Sequence, residues 1–303
     1  MRGLALSRCK SILVLGASGM LGNAVFRLFS QAPDLQVWGS LRSGGALRHF
    51  SPASVDRLVT GVDVENPDQL VRLLSGTTPD VIVNCIGLVK QLADANDPLA
   101  ALPINSLLPH RLARLASLTG ARLVHVSTDC VFSGRKGTYT EEDAPDAVDL
   151  YGRSKLLGEV DYPNAITLRT SIVGHELASN HGLVDWFLAQ GGTVRGFTRA
   201  VFSGLPTVEL ARVIRDYVLP HPELRGLLHV SSAPIAKYDL LKLVAHEYGK
   251  NVEIEPDPRL VIDRSLDSTR FRAATGYVPP PWPELVRRMH SFRNGVVPEV
   301  PDV

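Results

Sequence analysis

The sequence predicts an α/β fold: a doubly wound parallel sheet carrying a smaller C-terminal α/β lobe. Three observations lead there. Short apolar runs alternate with helix-like stretches up to about Thr170. The first run ends in a glycine-rich turn. Beyond Thr170 the alternation loosens. Strands alternating with helices imply a parallel sheet covered on both faces.

The elements follow in order. Residues 11–15 are an apolar run, and a helix-like stretch runs from Met20 to Ser30. A second strand is expected over Leu35–Leu41, a third over 57–63 and a fourth over 80–87. Helical patterns occupy 67–75 and 98–118. Strands over 122–127 and 165–170 continue the series, and 133–149 reads as a loop. Later come a helix over Leu183–Gln190, an irregular glycine-rich stretch up to Thr207, and a helix over Val208–Val218. A strand over 226–232 and a helix over Tyr238–Tyr248 follow, before a proline-rich end. Residues 1–170 are therefore expected to form one domain, with later contributions from about 200–232. Residues 171–303 are expected to form mainly the substrate lobe.

Composition narrows the classes. Of 303 residues 45% are hydrophobic, enough for a sizeable core. Lys and Arg number 32 against 31 acids, which gives no pull toward nucleic acid or an anionic membrane. No apolar run nears the ~20 residues of a bilayer span. The apolar stretch Leu4-Ala5-Leu6 is too short for a signal peptide core. A cytoplasmic protein is expected. Cys9, Cys85 and Cys130 lack metal-ligand spacing, and no metal is expected.

Gly16-Ala17-Ser18-Gly19-Met20-Leu21-Gly22 follows the first strand and opens the first helix. Gly16 permits a tight turn, Gly19 admits a pyrophosphate close to the backbone, and Gly22 lets the helix sit near the sheet. The helix N-terminus offers free N–H groups to phosphates. Such a turn makes the sheet Rossmann-type and implies a dinucleotide held by Gly16, Ser18, Gly19, Met20 and Leu21. The second strand ends without the Asp or Glu that would meet a ribose 2′-hydroxyl. Arg42 stands there instead, placed for a 2′-phosphate. NADP is the preferred expectation, NAD the alternative; a solvated loop arginine is the bland reading. Asp63 and Val64 are placed for the adenine, or Asp63 caps the next helix.

Ser127 and Thr128 end the fifth strand at the carboxyl edge of the sheet, where such folds bind ligands. Tyr151 and Lys155 lie four apart and share a helical face. An ammonium beside a phenol is expected to lower the phenol's pKa from ~10 toward working pH. Tyr151 then passes a proton to a carbonyl oxygen that Thr128 also holds. A surface Tyr–Lys pair is the alternative, but the order and spacing after a phosphate turn favour catalysis.

Together these segments resemble the extended short-chain dehydrogenase/reductases, and among them the dTDP-4-dehydrorhamnose reductase family. The resemblance rests on LVLGASGMLG (13–22), VIVNCIG (81–87), INS (104–106), VSTDCVFSG (126–134), YGRSKLLGE (151–159), LRTSIVG (168–174) and VFSGLPTVELA (201–211). It implies reduction of the C4 ketone of a nucleotide-linked 4-keto-6-deoxyhexose, with Thr128, Tyr151 and Lys155 catalytic. It also implies that Cys85, Ile86, Gly87 and Asn105, with Ser127, Lys155, Thr170, Ser171 and Ile172, line the cofactor. Val89, Asp129, Phe132, His175, Trp186, Arg195, Thr198 and Phe202, with Thr128 and Tyr151, would then meet the nucleotide sugar. A homodimer is a further expectation.

Two departures qualify the resemblance. Cys130 stands where family members often carry Tyr and where dehydratases of the superfamily carry Glu. Met20–Ser30 has no acid, so the interfacial Mg²⁺ described for some rhamnose enzymes is not expected. Because 171–187 departs from the usual rhamnose-enzyme pattern, another 4-keto sugar, such as an N-acetylated UDP-sugar, stays open. So do an epimerase or dehydratase, and an NADP-binding regulatory subunit like that of methionine adenosyltransferase, which resembles the same family.

Overall fold

The structure, a computed structural model, describes residues 9–88 and 96–296. In the first half, β1 (Lys10–Leu15), α1 (Met20–Phe29), β2 (Leu35–Ser40), β3 (Leu58–Val59), α2 (Pro67–Thr77) and β4 (Val81–Asn84) follow one another. Next come α3 (Pro98–Ala101), α4 (Leu108–Thr119), β5 (Arg122–Thr128), α5 (Leu150–Leu157) and β6 (Ala165–Thr170). A wide π turn over Leu102–Leu107 joins α3 to α4 in one helical run. The second half holds β7 (Ile172–Val173), α6 (Leu183–Ala189), β8 (Thr193–Phe197), β9 (Ala200–Phe202), β10 (Leu205–Pro206) and α7 (Thr207–Val213). It ends with β11 (Gly226–His229), β12 (Ile235–Ala236), α8 (Lys237–Glu247), β13 (Glu253–Asp257), β14 (Ile262–Asp263), α9 (Thr269–Thr275) and α10 (Trp282–Arg293).

Seven strands make one sheet in the order β11-β6-β5-β4-β1-β2-β3, every pair parallel. The chain order reverses between β1 and β4, so a crevice opens at their carboxyl ends. β1 shows why both faces are covered. Ile12 and Val14 pack with Phe26 and Phe29 of α1, while Leu13 and Leu15 pack with Leu70 and Leu112 on the other side. All four β1 residues are fully buried, as alternation in a two-sided sheet requires.

Four expectations change. The third strand shrinks to Leu58–Val59, and Gly61, at φ +72°, turns the chain soon after it. The fourth stops at Asn84 because Asn84 Oδ1 bends back to accept from the Ile86 N–H at 3.1 Å. The stretch expected to be irregular forms β8, β9 and β10. Their partners are distant: β8 pairs with β13, β9 with β12 and β14, and β10 with β7. The proline-rich end likewise yields α9 and α10. Pro283 lies in the first turn of α10, where a missing N–H costs no helical bond.

A buried polar network fastens the carboxyl ends of β5, β6 and β11. Arg169 on β6 is 2% exposed; its Nε and Nη2 donate to Glu159 at 2.9 and 2.6 Å. Ser127 Oγ donates to the same carboxylate at 2.7 Å. Arg169 Nη1 meets His229 Nε2 at 2.9 Å, while His229 Nδ1 lies 3.1 Å from the Tyr139 carbonyl. His229 therefore donates through Nδ1 and accepts through Nε2. Burial and the Arg169 charge push its pKa down to about 4, so the ring stays neutral. The Arg169 guanidinium also lies 5.0 Å above the Phe132 ring. Glu159→Ala would strand a buried guanidinium, a loss of about 3–5 kcal/mol. Urea unfolding at neutral pH should show it; a loss under about 1 kcal/mol, the scale of an exposed pair, would count against a buried, interdependent network.

Candidate active site

The crevice begins at Gly16, whose φ of +78° suits glycine. A Cβ on Gly22 would sit 2.0 Å from the Gly16 carbonyl oxygen. Only glycine lets α1 start this close to the turn. The Ala17 N–H and Gly16 N–H are held by Ser40 at the end of β2, at 3.0 and 3.2 Å. The first N–H groups of α1 have no helical acceptor and open beside half-exposed Ser18 and exposed Gly19. A cradle of this kind fits a dinucleotide pyrophosphate. Arg42 is exposed just past β2. Exposed Asp63 accepts from the Glu65 N–H, and Val64 is buried. Asn66, not Asp63, caps α2.

Across the switch point lies Gly87. A Cβ there would be 3.4 Å from Asn105 Oδ1 and 3.8 Å from Lys155 Nζ. The π turn delivers Asn105 to this spot, where it accepts from the Leu88 N–H at 2.9 Å and donates to Ser154 Oγ at 3.1 Å. Ser106 Oγ donates to the Ser154 carbonyl at 2.8 Å. A Cβ on Gly158 would lie 1.9 Å from the Asn105 carbonyl oxygen. The π turn and α5 are thus pressed together, and α5 carries Tyr151 and Lys155. Cys85 lies in the same region, its thiol pushed up to about 12 by burial against the pull of Lys155.

Lys155 is buried and directs Nζ at the Val126 carbonyl, 2.8 Å away. Burial pushes its amine down to about 8, while Glu159 opposes the fall. Tyr151 hydrogen-bonds to Thr128, yet burial and then the neighbouring Cys130 raise its phenol above the ordinary value. This reverses the expected lowering. The Lys155 ammonium is engaged with Val126, and acids rather than cations crowd the phenol. Tyr151 therefore holds its proton across the working range, as a proton donor must.

Thr128 Oγ1 accepts from the Cys130 N–H at 3.1 Å and donates to Asp129 Oδ1 at 3.3 Å. Asp129 is buried and also hydrogen-bonds to Ser171. Thr170 is buried, whereas Ile172 is exposed. The structure thus gathers Thr128, Asp129, Tyr151 and Ser171 in one group. Gly87, Asn105, Lys155 and Cys85 form another beside it.

The remaining expected residues lie elsewhere or are engaged. Ser127 spends its hydroxyl on Glu159. Phe132 is fully buried, stacked on Tyr139 at 4.0 Å, and has no surface for a ligand. Its motif position suggests a ligand contact, but Arg169 covers the ring. His175 bridges Asp185 at 2.5 Å and Tyr248 at 2.8 Å. Trp186 on α6 is 39% exposed. Arg195 is exposed on β8, and the Thr198 N–H donates to the Asp257 carbonyl at 3.0 Å. Phe202 is buried against Trp282. Val89 lies outside the described residues. Arg264, for which the sequence carries no local signal, reaches the turn after Thr128: Nε donates to the Phe132 carbonyl at 2.8 Å.

Residues 10–291 match the model of the RmlD substrate binding domain. The chain belongs to that family. It is similar to dTDP-4-dehydrorhamnose reductase of Mycobacterium tuberculosis, 34% identical over 201 residues, 59% of each chain. It is also 33% identical over 150 residues to methionine adenosyltransferase 2 subunit beta of Rattus norvegicus. That stretch is 50% of this chain but only 42% of the rat protein. A solved dTDP-4-dehydrorhamnose reductase of Bacillus anthracis, in complex with NADP, superposes with a TM-score of 0.75. It is 21% identical, with 93% of this chain and 98% of that one covered, so the likeness is one of fold. Among the described residues no helix is long and apolar enough to cross a membrane.

Among the described residues, Lys155 of the RmlD-type site has its amine pushed below the ordinary range. With lysines labelled at Cε, a single resonance should titrate near pH 8 and vanish in Lys155→Arg. If every lysine titrated above pH 10, the buried ammonium described above would be wrong.

Proposed function

We propose that the protein is an NADPH-dependent reductase of the C4 ketone of a nucleotide-linked 4-keto-6-deoxyhexose. One observation carries the reading: a phenol that keeps its proton is hydrogen-bonded to Thr128 beside a dinucleotide cradle. Bound in that cradle, the cofactor supplies the hydride. The chain's own residues do the rest. Gly16, Ser18, Gly19, Met20 and Leu21 hold the pyrophosphate, and Cys85, Gly87 and Asn105 line the ribose side with Lys155. Thr128 holds the ketone oxygen, and Tyr151 delivers a proton to it. The nucleotide-sugar part of the reading rests on family membership, since the site chemistry alone supports only a carbonyl reductase.

Cys130 favours a reductase over a dehydratase. Its thiol, pushed up to about 12 by burial and by Asp129, offers no base for eliminating water. Likeness to a methionine adenosyltransferase subunit favours a second reading, a subunit that holds NADP without turning over a sugar. One assay separates them. The protein is incubated with NADPH and dTDP- or UDP-linked 4-keto-6-deoxy sugars while absorbance and product mass are followed. A gain of two hydrogens matched by NADPH loss is expected, with turnover falling about 10²–10⁴-fold in Tyr151→Phe and cofactor affinity kept. Water lost from a plain nucleotide hexose, without net NADPH use, would defeat the proposal. Tight NADP binding with no ketone reduced would favour the second reading.

NADPH should also bind more tightly than NADH. A phosphate–guanidinium contact contributes roughly 1.5–3 kcal/mol, so Arg42→Ala should weaken NADPH about ten- to a hundredfold and leave NADH almost unchanged. Calorimetric titration of both cofactors decides it; equal losses would remove Arg42 from the assignment.

A further inference from the structure

Arg264 follows β14, in the half of the chain that supplies the substrate lobe. Its N–H donates to the Val201 carbonyl of β9 at 3.0 Å. Neighbours on either side fasten the same segment to the loop after β5. The Asp263 N–H donates to the Gly134 carbonyl at 2.7 Å, and the Tyr139 N–H donates to the Ser265 carbonyl at 2.9 Å. From this rail the Arg264 side chain crosses to the catalytic turn. Nε donates to the Phe132 carbonyl at 2.8 Å, Nη1 lies 3.7 Å from Cys130 Sγ, and its charge acts on the Asp129 carboxyl.

That turn touches both proposed reacting groups. Thr128 Oγ1 is fixed between the Cys130 N–H and Asp129 Oδ1. A Cβ on Gly152 would lie 2.3 Å from the Cys130 carbonyl oxygen, so α5, and Tyr151 with it, rests on the turn. Thr128 has one hydroxyl proton. While it points at Asp129, it cannot point at a ketone. The hold of Asp129 on that proton depends on how much of the carboxylate's charge another group takes up.

We propose that Arg264 is a positioning residue: it fixes the Asp129–Phe132 turn and shares the Asp129 charge, which frees the Thr128 hydroxyl to turn toward a substrate oxygen. This rests on the ketone-reductase reading for its chemistry, but its electrostatic half stands apart from that reading. Besides Arg264, the groups facing Asp129 are Thr128, Cys130, Ser171 and Tyr151. Burial raises the carboxyl's pKa and Arg264 is the one cation among these groups that lowers it.

The test labels aspartate carboxyls with ¹³C in the NADP-loaded protein and assigns Asp129 by its loss in Asp129→Asn. In Arg264→Met the Asp129 midpoint should rise by about one pH unit or more, and Arg264→Lys should restore most of it. Turnover of a 4-keto sugar should fall about tenfold or more in Arg264→Met. Cofactor affinity should hold, and the turnover lost above the raised Asp129 midpoint should recover as pH falls through it, because a neutral carboxyl releases the Thr128 proton. If the methionine variant does not fold, Arg264→Gln takes its place. An unmoved Asp129 midpoint overturns the proposal whether or not the protein reduces a ketone. Unchanged turnover in a reductase-active protein also overturns it. A wild type that reduces no ketone defeats the functional reading alone, because the titration still decides the role of Arg264.

Discussion

The site depends on the closeness of α1 to the Gly16 turn. With a Cβ at residue 22 impossible without moving the Gly16 carbonyl, the helix and the first strand share one fixed geometry. That geometry aims free N–H groups at the switch point between β1 and β4. Everything else is arranged around this crevice. The π turn carries Asn105 to its rim, and α5, pressed on that turn, presents Lys155 from the opposite wall. Only close packing on both sheet faces, through Ile12 and Val14 on one side and Leu13 and Leu15 on the other, keeps these walls at constant separation.

Electrostatics then separate the roles of two neighbours. Lys155 is buried and Tyr151 half-buried, and loss of solvent opposes charge on each. For the lysine this brings the amine toward neutrality; for the tyrosine it secures the proton. A simple picture of an ammonium drawing a proton from a phenol does not describe this arrangement. On the proposed reading, the phenol keeps its proton until negative charge develops on the ketone oxygen.

Much of this was legible in the sequence because the signals are local. A glycine triplet after an apolar run, and a Tyr and Lys four apart, need no knowledge of distant residues. Thr128 and Tyr151 come within hydrogen-bonding reach of one another, from a strand end and a helix start. What stayed illegible depends on distant partners. Strand β8 has little meaning without β13, some sixty positions away in pairing register. Arg264 reads as one more surface arginine until β14 lies along the loop after β5. Phe132 is illegible for the same reason: its motif position suggests a ligand contact, while Arg169, from β6, closes over it.

The place of β11 has a consequence for how the chain is made. The sheet's edge strand beside β6 comes from residues 226–229, after most of the lobe strands have been synthesised. Until then β6 is itself an unpaired edge, and Arg169 has Glu159 but not His229. A chain emerging from the ribosome therefore carries an open strand and a half-satisfied guanidinium through the synthesis of β7 to β10. Such an intermediate invites edge-to-edge pairing between nascent chains. The two halves are joined through a shared sheet, so severing them near Thr170 would leave two incomplete pieces rather than two domains.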